Sequence, residues 1–213
     1  MPTNSDGVVL INAFEVPADR DRDFVGRWEQ ARDFLSKREG YIDTALHRSV
    51  APDAEFRFVN VARWRTPAEF QAAIAAPRFP GRQVPYTSHP SLYHVVAEDD
   101  APAGPDPAGP DPAGREPAGA VVLINLFEVP PPDDEDFLSL WQQARQLMRA
   151  RPEYLGTRLH RSLVPDAEFR FVNIAAWPSA NAFQAAIDDP AFRKATADIA
   201  GRAHPSLYEV VRR

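Results

Sequence analysis

The sequence contains no cysteine. That removes disulfides, thiolate nucleophiles and cysteine-held metals from consideration. Its 24 lysines and arginines are scattered through 213 residues, and no run of them could follow a phosphate backbone, so nucleic acid is not an expected partner. No apolar stretch approaches the roughly 20 residues of a bilayer-spanning helix. The polar opening MPTNSDG lacks the basic-then-apolar order of a secretion signal, so a cytoplasmic location without a membrane partner is expected. G-x-S-x-G, P-loop and Rossmann fingerprints are missing, and no His/Asp/Glu spacing reads as a metal site. The net charge of −6 is modest, and a hydrophobic content of 44% suffices for two small cores.

What is present is one module written twice. VVLINAFEVP (8–17) recurs as VVLINLFEVP (121–130), LHRSVAPDAEFRFVNVARW (46–64) as LHRSLVPDAEFRFVNIAAW (159–177), and HPSLY (89–93) as HPSLY (204–208). The chain therefore divides into module 1 (1–97), a join (98–120) and module 2 (121–213). The join, EDDAPAGPDPAGPDPAGREPAGA, repeats proline, alanine, glycine and aspartate, a composition that favours extended polyproline-II segments. At about 3.1 Å per residue it reaches roughly 60 Å, enough to tether one module to its twin.

Within a module, VVLINAFEV reads as a strand ended by Pro17. Asp21 or Asp23 is then expected to cap a helix running to about Lys37, with Phe24, Trp28, Ala31 and Leu35 along one face. Strands follow at 41–49 and 56–64. A second helix opens at Thr66-Pro67, and a last strand lies at 91–97. The order β-α-β-β-α-β is that of a ferredoxin-like module, an α+β fold. Its sheet carries helices on one face only. Two such modules packed sheet to sheet would cover each other's bare faces, so the duplication predicts an intramolecular pseudo-dimeric α+β barrel; further oligomerisation is left open.

Strand parity places Phe56, Phe58, Asn60, Ala62 and Trp64 on one face, and Leu10, Asn12, Phe14 and Val16 on one face of the first strand. If these larger faces look toward the helices, Asn12, Asn60 and Trp64 point into one sheet–helix space, as do Asn125, Asn173 and Trp177 in the second copy. A buried asparagine without partners costs about 1–3 kcal/mol, so these polar groups on an apolar wall suggest a polar ligand. His47 and His160 lie on a strand whose facing the pattern leaves open. Arg57 and Arg170, of opposite parity, are expected to pair with acids across the twin-sheet interface.

FRFVNVARW (56–64), followed by a helix bearing Phe70, resembles the antibiotic biosynthesis monooxygenase family, as do the INxFEVP opening and the terminal HPSLY. The resemblance covers both modules. It implies a dimeric α+β barrel and, in its best-known members, oxidation of aromatic polyketides such as anthrones to quinones by O2 as co-substrate, with no flavin or metal cofactor. The family's site asparagine and tryptophan fall on Asn60 and Trp64 and on Asn173 and Trp177; a histidine falls on His47 and His160. A tyrosine that some members carry on the second helix is replaced by Phe70 and Phe183, and a helix arginine finds only Arg82 and Arg193 nearby. Related haem-degrading barrels carry a histidine where Ile74 and Ile187 stand here.

The expected catalytic set is thus Asn60, Trp64, His47, Asn173, Trp177 and His160. Asn60 and Trp64 would donate hydrogen bonds to an enolate oxygen, and His47 would act as base because imidazole titrates near neutrality. A polycyclic aromatic substrate would rest against Asn12, Phe14, Phe24, Trp28, Phe58 and Phe70. In the second copy it would meet Asn125, Phe127, Phe137, Trp141, Phe171 and Phe183. A cyclase using the same pocket, or a non-catalytic binding partner in a biosynthetic complex, are the competing readings. The copies differ after the second helix, where AFRKATADIAGRA (191–203) can continue as helix but RFPGRQVPYTS (78–88) cannot because of Pro80, Gly81 and Pro85. The two pockets are therefore expected to have diverged.

Overall fold

A computed structural model describes residues 7–82, 84–99 and 119–213. Most of the expected tether, residues 100–118, lies outside the described residues. The first module contains β1 (Val8–Glu15), α1 (Asp21–Leu35), β2 (Tyr41–Ser49), β3 (Phe58–Trp64), α2 (Pro67–Ala75) and β4 (Thr87–Glu98). The second contains β5 (Val121–Phe127), α3 (Asp134–Arg149), β6 (Thr157–Ser162), β7 (Phe171–Trp177), α4 (Ala180–Ile187), α5 (Pro190–Thr196) and β8 (Ala203–Arg212). In each, the first strand pairs antiparallel with the third and the fourth, and the second strand pairs with the third. Each module is thus a ferredoxin-like four-stranded antiparallel sheet, in the order β4-β1-β3-β2 in the first and β8-β5-β7-β6 in the second. By compactness the chain divides into residues up to His94 with Val210–Arg213, and Val95–Glu209. Glu98 and Asp99, at the head of the expected join, belong to the second unit. Glu98 ends β4, and the Asp99 N–H donates to the Thr157 carbonyl at 3.0 Å.

Parity explains the register. The Asn12 Cα faces that of Asn60 across β1 and β3, as Asn125 faces Asn173 across β5 and β7. Leu10, Asn12, Phe14, Asn60, Ala62 and Trp64 consequently share the helix-covered face. The opposite face carries small and β-branched residues, with Ile11, Ala13, Val59 and Val61 all at most 1% exposed. Beneath α1, Phe14, Phe24, Trp28, Leu46 and Phe58 form one buried cluster, in which Phe24 and Phe58 stack with centroids 4.5 Å apart. Phe58→Ala is expected to cost about 3–5 kcal/mol, the penalty for emptying a closed aromatic site. A urea midpoint that barely moved would show that this cluster is not the core of the first module.

The helix starts follow different logics. Thr66 caps α2 by accepting from the Glu69 N–H at 3.2 Å, and its hydroxyl donates to the Glu69 carboxylate at 2.9 Å. Neither Asp21 nor Asp23 caps α1; the cap position is Arg20, without a side-chain hydrogen bond. Asp21 instead takes two hydrogen bonds from Arg57, at 3.1 and 2.6 Å. Asp134 holds Arg170 in the same way at 2.7 Å. This corrects the expectation for the two arginines: their acids come from the first helix of their own module. Gly40 takes φ +81° just before β2, where a Cβ would come within 2.5 Å of the Glu69 side chain, so a side chain there is excluded twice over.

Candidate functional site

Each module holds a cavity between its sheet and its helices. The first, about 260 Å³, has a floor of Leu10, Asn12, Phe14, Thr44, Asn60, Ala62 and Trp64. Its walls come from α1 (Arg27, Trp28, Ala31, Arg32 and Leu35), Phe24, Tyr41 and the segment around Phe79–Gly81. The second, about 390 Å³, has the matching floor Leu123, Asn125, Phe127, Thr157, Asn173, Ala175 and Trp177. Trp141, Arg145, Met148 and Tyr154 line its walls, together with Phe183, Ile187, Phe192 and Ile199. The expected divergence after the second helix is visible here. Helix α5 contributes Phe192, Arg193 and Thr196 to the second cavity, whereas a 3-10 turn at Pro80–Arg82 stands beside the first.

The polar groups on these floors are held by a small hydrogen-bond network. The Trp28 indole N–H donates to Asn60 Oδ1 at 2.8 Å, and Thr44 Oγ1 lies 2.8 Å from the same oxygen. An indole can only donate, so the atom facing it must be the amide carbonyl. The Asn60 amide is thereby fixed with its NH2 unspent. The second copy repeats this, with Trp141 Nε1 at 3.1 Å and Thr157 Oγ1 at 2.7 Å from Asn173 Oδ1. Trp64 is fully buried, yet its Nε1 has no protein partner among the described residues, and neither does Asn12 Oδ1; Trp177 Nε1 and Asn125 Oδ1 stand alike. Each cavity floor thus presents an amide NH2, an indole N–H and an amide oxygen that the protein leaves unsatisfied. A buried polar atom left so costs about 1–3 kcal/mol, a cost that a bound ligand can relieve.

The structure brings together Asn12, Phe14, Phe24, Trp28, Asn60 and Trp64 in the first cavity, and Asn125, Phe127, Trp141, Asn173, Trp177 and Phe183 in the second. It does not place Phe58 or Phe70 on the first cavity's surface. Phe58 is stacked behind Phe24, and Phe70 packs edge-on against Trp64 at 5.4 Å. Phe137 and Phe171 are likewise stacked on one another at 4.5 Å, outside the second cavity's lining. These four side chains support the wall.

The histidine base is also corrected. Thr44 and Leu46 face the helices, so His47 faces the other way by strand alternation, and neither His47 nor His160 lines its cavity. His47 is 1% exposed with Nδ1 3.3 Å from the Val59 carbonyl; His160 is fully buried with Nδ1 3.2 Å from the Val172 carbonyl. Burial pushes both imidazoles down to about 4. Both are neutral near pH 7 and out of reach of anything in the cavities.

Three lining groups escaped the sequence reading. Thr44 is buried on the floor, Tyr41 sits edge-on to Trp64 at 5.5 Å, and Arg32 lies over Trp28 at 5.4 Å. Tyr41 opens β2 and Tyr154 stands three residues before β6, at equivalent positions in the two copies; that pairing was the available signal. Among the described residues no group of three His, Asp or Glu side chains could hold a metal ion, and no helix is long and apolar enough to cross a membrane.

Each copy is a ferredoxin-like α+β module with an asparagine and a tryptophan on the floor of a cavity beneath its helices. Residues 7–80 and 120–198 match the antibiotic biosynthesis monooxygenase family, and the chain belongs to that family. Among solved structures it is similar to an anthrone oxidase-like protein, at 18% identity over 99% of this chain and 93% of that one, with a TM-score of 0.74. A provisionally named monooxygenase of Fusobacterium nucleatum matches at 10% identity over 96% and 92%, with a TM-score of 0.63. A monooxygenase-like protein of Listeria innocua matches at 13% over 98% and 96%, with a TM-score of 0.53. At these identities the likenesses establish the fold. Comparison of the sequence with curated proteins finds no match.

Proposed function

We propose that the protein oxidises a polycyclic aromatic ketone of the anthrone or naphthacenone type to the quinone, using O2 and no resident flavin or metal. The observation that carries this reading is the paired, unspent donors of Asn60 and Trp64 on an otherwise apolar floor, repeated by Asn173 and Trp177. Membership of a monooxygenase family and the likeness to an anthrone oxidase-like fold support it.

The chemistry follows from what those donors stabilise. An anthrone carries acidic C–H bonds opposite its carbonyl, and removing one proton spreads negative charge onto the carbonyl oxygen. Two neutral donors aimed at that oxygen stabilise the enolate more than the ketone, and an apolar enclosure strengthens the effect. The enolate is electron-rich enough to reduce triplet O2 by one electron, and combination of the resulting radicals forms a peroxide on carbon. Protonation and loss of water complete CH2 + O2 → C=O + H2O. With His47 and His160 turned away, proton removal falls to solvent or to the substrate's own phenolate oxygens, and the protein lowers the barrier by stabilising the anion.

The test is oxygen uptake with an anthrone, measured by electrode beside quinone absorbance. One O2 consumed per quinone formed, above the spontaneous rate, is the expected result. A cyclised or rearranged product formed equally well under nitrogen would replace the oxygenase reading with the cyclase one, and binding without turnover would leave a ligand carrier.

A further inference from the structure

The two modules share their cavity floors but differ beneath the second helix. The first cavity measures about 260 Å³ and the second about 390 Å³. In the first module Phe70 of α2 is 7% exposed and packs with Leu35, Trp64 and Ile74 in one cluster; neither Phe70 nor Ile74 reaches the cavity. Their counterparts on α4 are Phe183 and Ile187. Phe183 is partly exposed, 5.6 Å edge-on from Trp177, and both residues line the second cavity.

The segment after the second helix adds to the contrast. In the first module it turns at Pro80–Arg82, and Phe79 lies 5.8 Å from Phe34 of α1, ring to ring. Gly81 sits so close to Phe79 that any Cβ would run into that ring, so the turn is pressed onto the cavity lining. In the second module Leu147 stands where Phe34 does and offers no ring. There α5 starts at Pro190, with Asp189 as cap accepting from the Ala191 N–H at 2.7 Å. Phe192 in its first turn packs with the cluster around Trp177 and lines the cavity. Arg193 is on the lining too but is held by Asp188. Tyr154 and Arg145 are spent on the buried Asp99, to which they donate at 2.6 and 2.9 Å. What the second cavity adds is therefore an apolar slot of Phe183, Ile187 and Phe192.

We propose that the second cavity takes a polycycle one fused ring longer than the first: three rings in the first, four in the second, with the added ring under α4 against Phe183 and Ile187. The assignment rests on the functional reading above for the aromatic ketone itself. Both floors offer the ligand oxygen the same asparagine and tryptophan, so the reach of the ring system past the indole is set by what the second helix leaves open. A bare ring gains by entering a slot that is already open and apolar. A ligand of that length in the first cavity would have to displace the packed Phe70, which a close-packed cluster resists.

The test is calorimetry on the full chain with dihydroxyanthraquinone (three rings) and dihydroxynaphthacenequinone (four rings). The four-ring probe is expected to saturate one site per chain, and the three-ring probe to occupy a site that the four-ring probe leaves open. Ile187→Phe, with Phe183→Trp beside it, is expected to weaken four-ring binding roughly tenfold by filling the slot, with three-ring binding in the first cavity unchanged. Four-ring binding at two sites per chain overturns the proposal, as does four-ring binding that is untouched in a folded variant; should neither variant fold, the wild-type site counts decide. Equal binding of both probes at both sites, with oxygen uptake intact, would sink the ring-length assignment and leave the oxidase reading standing. Absence of oxygen uptake beside one-site four-ring binding would do the reverse, and no binding of either probe would overturn both.

Discussion

Acidification from pH 7 to about 4.5 should weaken the fold by several kcal/mol, in a window set by histidine. His47 and His160 are buried as neutral imidazoles and pushed from the ordinary 6.5 down to about 4, chiefly by desolvation, with Arg213 near His47 and Arg158 near His160 adding to the shift. The unfolded chain takes up these protons below about 6.5, and the folded chain does not until about 4. Between those limits the unfolded state binds more protons, so stability is whole above 6.5 and falls as pH drops through the interval. At about 1.4 kcal/mol per unit, each histidine contributes on the order of 3 kcal/mol, a large share of the 5–15 kcal/mol typical of a domain. Asp99, lowered from 3.8 by Arg145 and Tyr154 against the cost of burial, loses its contribution only below that range. Urea midpoints at pH 7.5, 6.0, 5.0 and 4.5 should therefore fall steadily in wild type and flatten in His47→Gln with His160→Gln. A wild-type midpoint that stays level down to pH 4.5 would refute the burial of both rings.

The same two residues show where sequence reading stops. On β1 and β3, bulky aromatics alternate with small and β-branched residues, so Asn12, Asn60 and Trp64 could be assigned to the helix face from pattern alone, and the structure places them there. On β2 the alternation is weak, since Thr44, Leu46, Ala45 and His47 are all buried. A strand covered on both faces carries no polarity signal to fix its facing. Phe58 and Phe70 lie on the expected side yet stop short of the cavity, because parity chooses a face and says nothing about which ring lies in front. Asp99 was hidden for another reason. It sits at the head of a Pro/Ala/Gly-rich segment whose composition suggests a plain tether, and its role depends on Tyr154 and Arg145, both distant in sequence.

Asn60→Ala combined with Asn173→Ala should lower kcat/KM for anthrone oxidation by about 10²–10³-fold, the usual loss when a donor to a developing oxyanion is removed, without unfolding the protein. Each asparagine lines a cavity, so truncation enlarges an existing hollow without displacing Phe24, Leu46 or Phe58; the Trp28 and Trp141 indoles each lose an acceptor, at about 1–3 kcal/mol apiece. The single variants carry more information than the pair. The cavities differ in lining and volume, so Asn60→Ala and Asn173→Ala are expected to lower turnover of one anthrone unequally; equal losses would argue against divergence. Trp28→Phe tests the geometry behind the donor. Without the indole at 2.8 Å from Oδ1, the Asn60 amide is free to rotate and donate to Thr44, turning its oxygen toward the substrate. A drop of roughly tenfold in kcat with little change in KM is expected in the first cavity, because ring contact survives while donor orientation does not. An increase in KM alone would mean that Trp28 acts only as an apolar wall.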